Sequence, residues 1–326
     1  MKDQFNRTIE YLRLSITDRC NLRCRYCMPE EGVVEVTHGT ILSYEELLAV
    51  AAVAARLGVR QIRVTGGEPL VRRGVIDFIR QLAQLPERPE VTMTTNGLRL
   101  AEEVEALCTA GLQRVNVSLD TLRPERFMQI TRRDGLEQVL AGIRAATVAG
   151  LPVKINMVPI ASVNDDEIHD FARLAEHHPW DIRFIEYMPF GPELDFPPEL
   201  RVPADVIIAR LRELGPLEPL HKDSAIVGPA HHYRLPGWRG RLGVIPAVSN
   251  HFCAACNRLR ITADGRIKPC LFEGGEYTLK PALRPQIDPL AIEKLLLGAA
   301  CAKPERHRIN EDDYLPPTRG MHGIGG

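Results

Sequence analysis

The sequence predicts an α/β fold: a partial (βα)6 barrel of the TIM type, with a C-terminal extension of short strands and helix covering its open side. Three observations carry this expectation. Six short strand-like runs between residues 11 and 186 are separated by stretches with helical periodicity, and such repetition builds a parallel sheet with right-handed crossovers. Six units are too few to close the usual eight-stranded barrel, so one side should stay open. From about residue 191 a Pro-rich connector, Gly191-Pro192 through Pro203, gives way to short strands. That stretch is too short for an independent large domain. It sets the division at 1–190 and 191–326 and lays the second part over the gap.

The elements follow in order. The first strand, Tyr11-Leu12-Arg13-Leu14-Ser15-Ile16-Thr17, alternates polar and apolar residues and runs into a cysteine loop. A helix opens on a capping box, Ser43 with Glu46, and continues through Leu47, Leu48, Val50, Ala51 and Ala54 to Gly58. Strand 61–65 leads to helix 74–84, strand 91–95 to helix 101–110, and strand 114–118 to a longer helix near 134–149. Strand 153–158 precedes helix 165–177, and 181–186 is the sixth strand. Beyond the connector, a helix spans 204–214 and a strand 241–245; 258–262 and 266–268 form a hairpin around Asp264-Gly265. The stretch 216–240 yields no assignment.

The composition fits an enzyme of the cytoplasm. With 326 residues, 44% of them hydrophobic, the chain can bury a large core. A net charge of −1 gives no support for nucleic-acid or membrane-surface binding. No run approaches a transmembrane span, and the start, Met1-Lys2-Asp3-Gln4-Phe5-Asn6, has no apolar leader core.

The cysteines carry the chemistry. Cys20, Cys24 and Cys27 are spaced C-x3-C-x2-C, with the aromatic Tyr26 before the last. Three thiolates on one loop can hold three irons of a [4Fe–4S] cube and leave the fourth iron open to a ligand. Cys253, Cys256 and Cys270 form a second set, C-x2-C-x13-C, again with no fourth cysteine. Zinc sites normally take four ligands in paired spacing, which disfavours zinc for the first set. For the second, His251 could complete a Cys3His zinc site, and that alternative stays open here. Cys108 and Cys301 read as core packing, and Arg72 and Arg73 as surface charges.

The first cysteine set, together with Gly66-Gly67-Glu68-Pro69 at the end of the second strand, resembles the radical S-adenosylmethionine (SAM) superfamily. Further motifs narrow the resemblance to the GTP 3′,8-cyclase family: 11–21, Arg63 to Leu70, Thr94-Thr95-Asn96-Gly97, Asn116 to Asp120, Phe252 to Arg258 and the terminal Gly325-Gly326. The match covers essentially the whole chain. It implies two [4Fe–4S] clusters, with SAM chelating the open iron of the first. Tyr26, Gly67, Ser118 and Met188 are implied as SAM contacts, glycine at 67 allowing close backbone approach. The implied reaction starts with a 5′-deoxyadenosyl radical that takes the 3′ hydrogen of GTP; the sugar radical then attacks guanine C8. The resemblance also implies an electron donor of unidentified kind and a downstream pyranopterin-forming enzyme, and it admits a homodimer.

A triphosphate inside a cavity needs fixed cations, and arginine's planar fork suits phosphate. Arg13, Arg63, Lys154, Arg258 and Arg260 lie on strands or beside cysteine ligands. The resemblance assigns GTP contacts to them, with Thr94 and Leu259. The Gly325-Gly326 tail is expected to enter the site and orient GTP.

Overall fold

In the computed structural model, which describes residues 1–32, 39–188, 196–220, 228–273, 275–311, 314 and 320–324, alternation along the strands decides what each sheet face meets. In β1 (Tyr11–Ser15), Leu12 and Leu14 are wholly buried on one face while Tyr11, Arg13 and Ser15 take the other. The pattern repeats in β2 (Gln61–Thr65), β3 (Glu90–Thr95), β4 (Arg114–Ser118), β5 (Val153–Met157) and β6 (Asp181–Ile185). Each strand pairs in parallel with the next. The apolar face is covered by α1 (Tyr44–Arg56), α2 (Val75–Ala83), α3 (Leu100–Thr109), α4 (Pro124–Thr131), α5 (Leu136–Val148) and α6 (Ile168–His177). Leu47, Leu107, Val139 and Phe171 are fully buried there. The capping box opens α1 as expected: Ser43 Oγ accepts from the Glu46 amide at 3.2 Å, and Glu46 Oε2 accepts from the Ser43 amide at 2.7 Å.

The extension does more than cover a gap. It comprises α7 (Ala204–Arg212), β7 (Glu218–Leu220), β8 (His231–Arg234), β9 (Arg241–Ile245), β10 (Arg258–Ile261), β11 (Arg266–Lys268), β12 (Tyr277–Thr278), α8 (Lys280–Leu283), α9 (Pro289–Cys301) and α10 (Met321–Ile324). β10 joins β1 in parallel and β9 joins β6 in parallel. The described sheet therefore runs β12-β11-β10-β1-β2-β3-β4-β5-β6-β9-β8-β7, with antiparallel strands at both ends. Its inner strands form the partial barrel, which is not closed.

Two local readings change. Arg72 is no free surface charge: its guanidinium donates to the carbonyls of Ile16 and, at 2.7 Å, Leu42, and lies 4.1 Å from the Tyr44 ring centre. Cys301 is exposed in the last turn of α9 rather than packed, and Cys108 is half-buried. Among the described residues no helix is long and apolar enough to cross a membrane.

Glu186, just past β6, joins the two parts of the chain. Its fully buried carboxylate accepts from the amides of Ala204 at 2.7 Å, Val248 at 2.7 Å and Ser249 at 2.9 Å. Removing it strands buried donors, each costing about 1–3 kcal/mol. Glu186→Ala should therefore lower the thermal midpoint by several degrees, whereas Glu105→Ala on the exposed face of α3 should not. Equal midpoints for the two variants would remove Glu186 from this role.

Candidate active site

The first cysteine loop follows β1 and is anchored from a helix that the sequence reading did not separate. The amides of Arg23 and Arg25 donate to the carbonyls of Thr131 at 2.9 Å and Ile130 at 3.0 Å, at the end of α4. Those carbonyls have no partner inside their own helix. Within the loop the Cys27 amide donates to the Cys24 carbonyl at 2.9 Å, and Cys20 Sγ accepts from the Leu22 amide at 3.4 Å. Burial, then mutual repulsion, pushes the Cys24 thiol up, and burial pushes Cys27 up to about 12. A cationic centre bound there would displace the thiol protons.

The neighbouring strand ends shape the rest of this end. A Cβ on Gly67 would stand 2.4 Å from the Arg19 carbonyl oxygen, and one on Gly66 2.5 Å from that of Thr17. Only glycine lets the two loops lie this close. Glu68 is turned away from the cavity: Thr95 Oγ1, the Leu70 amide and the Asn96 amide donate to it at 2.8, 3.0 and 2.6 Å. It stitches β2 to β3, and burial raises it to about 7 despite those donors. Tyr26 donates its hydroxyl proton to Asp120 Oδ2 at 2.5 Å, and Asp120 Oδ1 accepts from the Val158 amide at 2.8 Å. Tyr26, Gly67, Ser118 and Met188 all line one cavity with Cys20, Cys24 and Cys27.

That cavity, about 1320 Å³, also reaches Cys253, Cys256 and Cys270. Cys253 starts a single helical turn, Cys256 follows it with its amide donating to the Cys253 carbonyl at 3.0 Å, and Cys270 follows β11. Among the described residues no three His, Cys, Asp or Glu side chains converge where one metal ion could be held. A single zinc requires such convergence. A cube takes one thiolate per iron and requires a spread triad. Three thiolates in each set, with no fourth cysteine, suit a cube at each place.

Between the triads the inward face of the barrel is cationic. Strand pairing sets Arg63, Arg13 and Arg260 side by side across β2, β1 and β10. Thr94, Asn116, Lys154 and Asp181 form a second row across β3 to β6. Eleven Lys or Arg residues line the cavity among the described residues, against the carboxylates of Glu90 and Asp120. This stands inside a chain whose net charge is only −1. Burial and neighbouring cations push Arg13 down to about 9 and Arg260 to about 10. Guanidinium stays charged at such values, so this wall remains cationic. Thr94 Oγ1, Asn116 Oδ1, Asn156 Oδ1 and Arg258 Nε are buried with no hydrogen-bond partner among the described residues. Their natural partner is a polar ligand.

The sequence reading missed part of this wall. Arg183 and Arg241 line the cavity and share the Asp181 carboxylate, at 2.9 and 3.0 Å, with Lys154 at 3.4 Å. Burial, reinforced by Arg183, pushes Lys154 down to about 6. Burial also opposes ionisation of Asp181, but Arg183, Lys154 and Arg241 outweigh it and hold that carboxyl below its usual range. The alternation that marked Lys154 on β5 marks Arg183 two residues into β6. Leu259 sits between Arg258 and Arg260 with its side chain on the opposite face of β10, fully buried in the core and away from the cavity. Its side chain is unavailable to a ligand there. Gly325 and Gly326 lie outside the described residues.

Comparison with known proteins agrees with this architecture. The Radical SAM superfamily matches residues 14–175, and Molybdenum Cofactor Synthesis C matches 180–309. The GTP 3′,8-cyclase of Moorella thermoacetica is 49% identical over 327 residues, covering 100% of both chains. That of Geobacter sulfurreducens is 47% identical over 325 residues, covering 99% of each. Among solved structures, Streptococcus suis SuiB superposes with a TM-score of 0.63 at 15% identity, over 92% of this chain and 68% of its own, a likeness of fold. With full-length relatives at this identity, the chain belongs to the GTP 3′,8-cyclase family of the radical SAM superfamily.

Proposed function

We propose that this chain converts GTP to (8S)-3′,8-cyclo-7,8-dihydroguanosine 5′-triphosphate, the first step of molybdenum-cofactor biosynthesis. The observation that carries the reading is the single cavity with a cysteine triad at each end and a cationic wall between them. Cys20, Cys24 and Cys27 would hold the SAM-binding [4Fe–4S] cluster, and Cys253, Cys256 and Cys270 a second one. When bound, SAM on the first cluster supplies a 5′-deoxyadenosyl radical that takes the ribose 3′ hydrogen, so that the sugar carbon closes onto guanine C8. The difficult chemistry is the cofactor's; the chain binds, orients and excludes water.

In this reading Tyr26, Gly67, Ser118 and Met188 seat SAM. Arg13, Arg63, Lys154, Arg183, Arg258 and Arg260 take the triphosphate, with Thr94 adding a hydroxyl. The purine then lies toward the second triad. The reading keeps 1–190 as the radical-forming part and 191–326 as the part bearing the second cluster and the tail. It places the enzyme in the cytoplasm, with an external electron donor, a downstream pyranopterin-forming enzyme and room for a homodimer.

The test is anaerobic reconstitution with iron, sulfide, SAM, reductant and GTP. One hydrogen leaves the ribose and one is restored after cyclisation, so the expected product is an isomer of GTP, separated by chromatography, formed with 5′-deoxyadenosine. Recovery of GTP alone, from protein carrying its iron, refutes the reading. The phosphate assignment has its own check. Lys154→Ala and Arg260→Ala should raise KM for GTP about ten- to hundredfold, the effect of losing a charge-assisted contact of about 1.5–3 kcal/mol, and leave KM for SAM near its original value. Equal effects on both substrates remove these residues from the phosphate site.

A further inference from the structure

Lys303, at the end of α9, is 2% exposed, and neither substrate assignment above uses it. An ammonium buried this deeply persists only if its protons are matched. Its Nζ donates to the Arg258 carbonyl at 3.0 Å and to the Pro269 carbonyl at 2.6 Å, which sets its charge beside Cys256. Arg258 lies two residues after Cys256, and Pro269 immediately precedes Cys270. One ammonium thus joins the two separate segments that supply the second triad. The lysine's own segment is tied in turn to Cys253. Arg7, paired with Asp3 at 2.5 Å, donates to the carbonyls of Cys253 at 2.8 Å, Pro304 at 2.7 Å and Glu305 at 2.8 Å. In the first loop the cations meet carbonyls, Arg23 donating to that of Cys20 at 2.6 Å and Arg132 to that of Arg23 at 3.1 Å, while the side chain that donates to a sulfur is the neutral amide of Asn96, 3.7 Å from Cys20 Sγ.

A cube on three thiolates is anionic, and reduction adds a further negative charge. A fixed cation beside one of the sulfurs favours the reduced form, since local charge helps set cluster potentials. We propose that Lys303 is a positioning residue of the C-terminal three-cysteine site, locking its two segments together and raising the reduction potential of the cluster held there. This rests on the reading of Cys253, Cys256 and Cys270 as a cluster site.

The experiment uses the full chain carrying Cys24→Ala, so that only the second triad can hold a cluster, reconstituted anaerobically. Iron and sulfide are counted, and reduction is followed by spectroscopically monitored titration. Adding Lys303→Met should lower the reduced-to-oxidised ratio at fixed potential at least tenfold, a midpoint shift of about 59 mV for one electron. Lys303→Arg, which keeps the charge, should recover most of it. An unchanged midpoint in a Met variant that carries its iron overturns the proposal. Should the Met variant hold no iron, retention in the Arg variant supports the charged tie, and loss in both overturns it. An iron-free Cys24→Ala parent overturns the cluster reading itself, and this inference with it.

Discussion

Cys24→Ala should abolish reductive cleavage of SAM altogether, whereas Cys256→Ala should abolish the cyclised nucleotide and leave uncoupled 5′-deoxyadenosine formation. The division follows from how separately the two triads are supported. The first is held by the end of α4, through amides bonded to Thr131 and Ile130. The second is held by Lys303 and Arg7, which touch nothing in the first loop that the described contacts show. Removing one thiolate costs its own cube a ligand without dismantling the other support. In the Cys256 variant SAM should still be cleaved, but the purine should lose the anchor proposed for it at the second triad. The measurement is anaerobic turnover, with 5′-deoxyadenosine and nucleotide product quantified beside iron content. If both variants lose SAM cleavage equally, with the first cluster intact in the Cys256 variant, the assigned roles are wrong.

Deleting Gly325 and Gly326 should leave both iron sites and SAM binding intact and cut cyclisation by about a hundredfold or more. The two glycines lie outside the described residues, but the chain leading to them is seated. His322 donates from Nδ1 to the Cys27 carbonyl at 2.9 Å, and Met321 and His322 line the cavity. Ile324 is fully buried against Phe272, beside the second triad. The tail thus departs from a point between the two cysteine sets, where a backbone without side chains can thread a crowded space. Misplacing reacting atoms by about an ångström can cost roughly a hundredfold in rate. A truncated enzyme that turns over saturating GTP at the full-length rate would sink this role.

Much of the molecule was legible because its strands alternate strictly. Six barrel strands and their helices fall within three residues of the expected ranges, and Lys154 stood out as a cation where an apolar residue is usual. The same rule applied to 181–186 picks out Arg183, which the eye passes over because Asp181 beside it suggests an ordinary surface pair. α4 was hidden for another reason: Phe127 and Ile130 give only one turn of apolar spacing, and the helix starts on a proline. The parallel attachment of β9 and β10 was not legible at all. Short strands after a Pro-rich connector look like hairpins, and nothing local states that their partners lie some 250 residues earlier in one case. Cys301 looked buried by its apolar neighbours, yet it occupies the outward side of the last turn of α9.

The pairing of β10 with β1 has a consequence for how the protein is made. β1 emerges from the ribosome first, and the strand that completes its free edge comes only at residues 258–261. At synthesis rates of roughly 5–20 residues per second, that edge waits on the order of tens of seconds. Throughout that interval the first cysteine loop hangs from an unfinished sheet, with open backbone groups that invite pairing with other chains. Contacts so distant in sequence also make the closing step slow. Iron loading of the first triad onto a settled scaffold is therefore expected only after 258–261 has paired with β1, and a chain halted near residue 190 should aggregate more readily than the full chain.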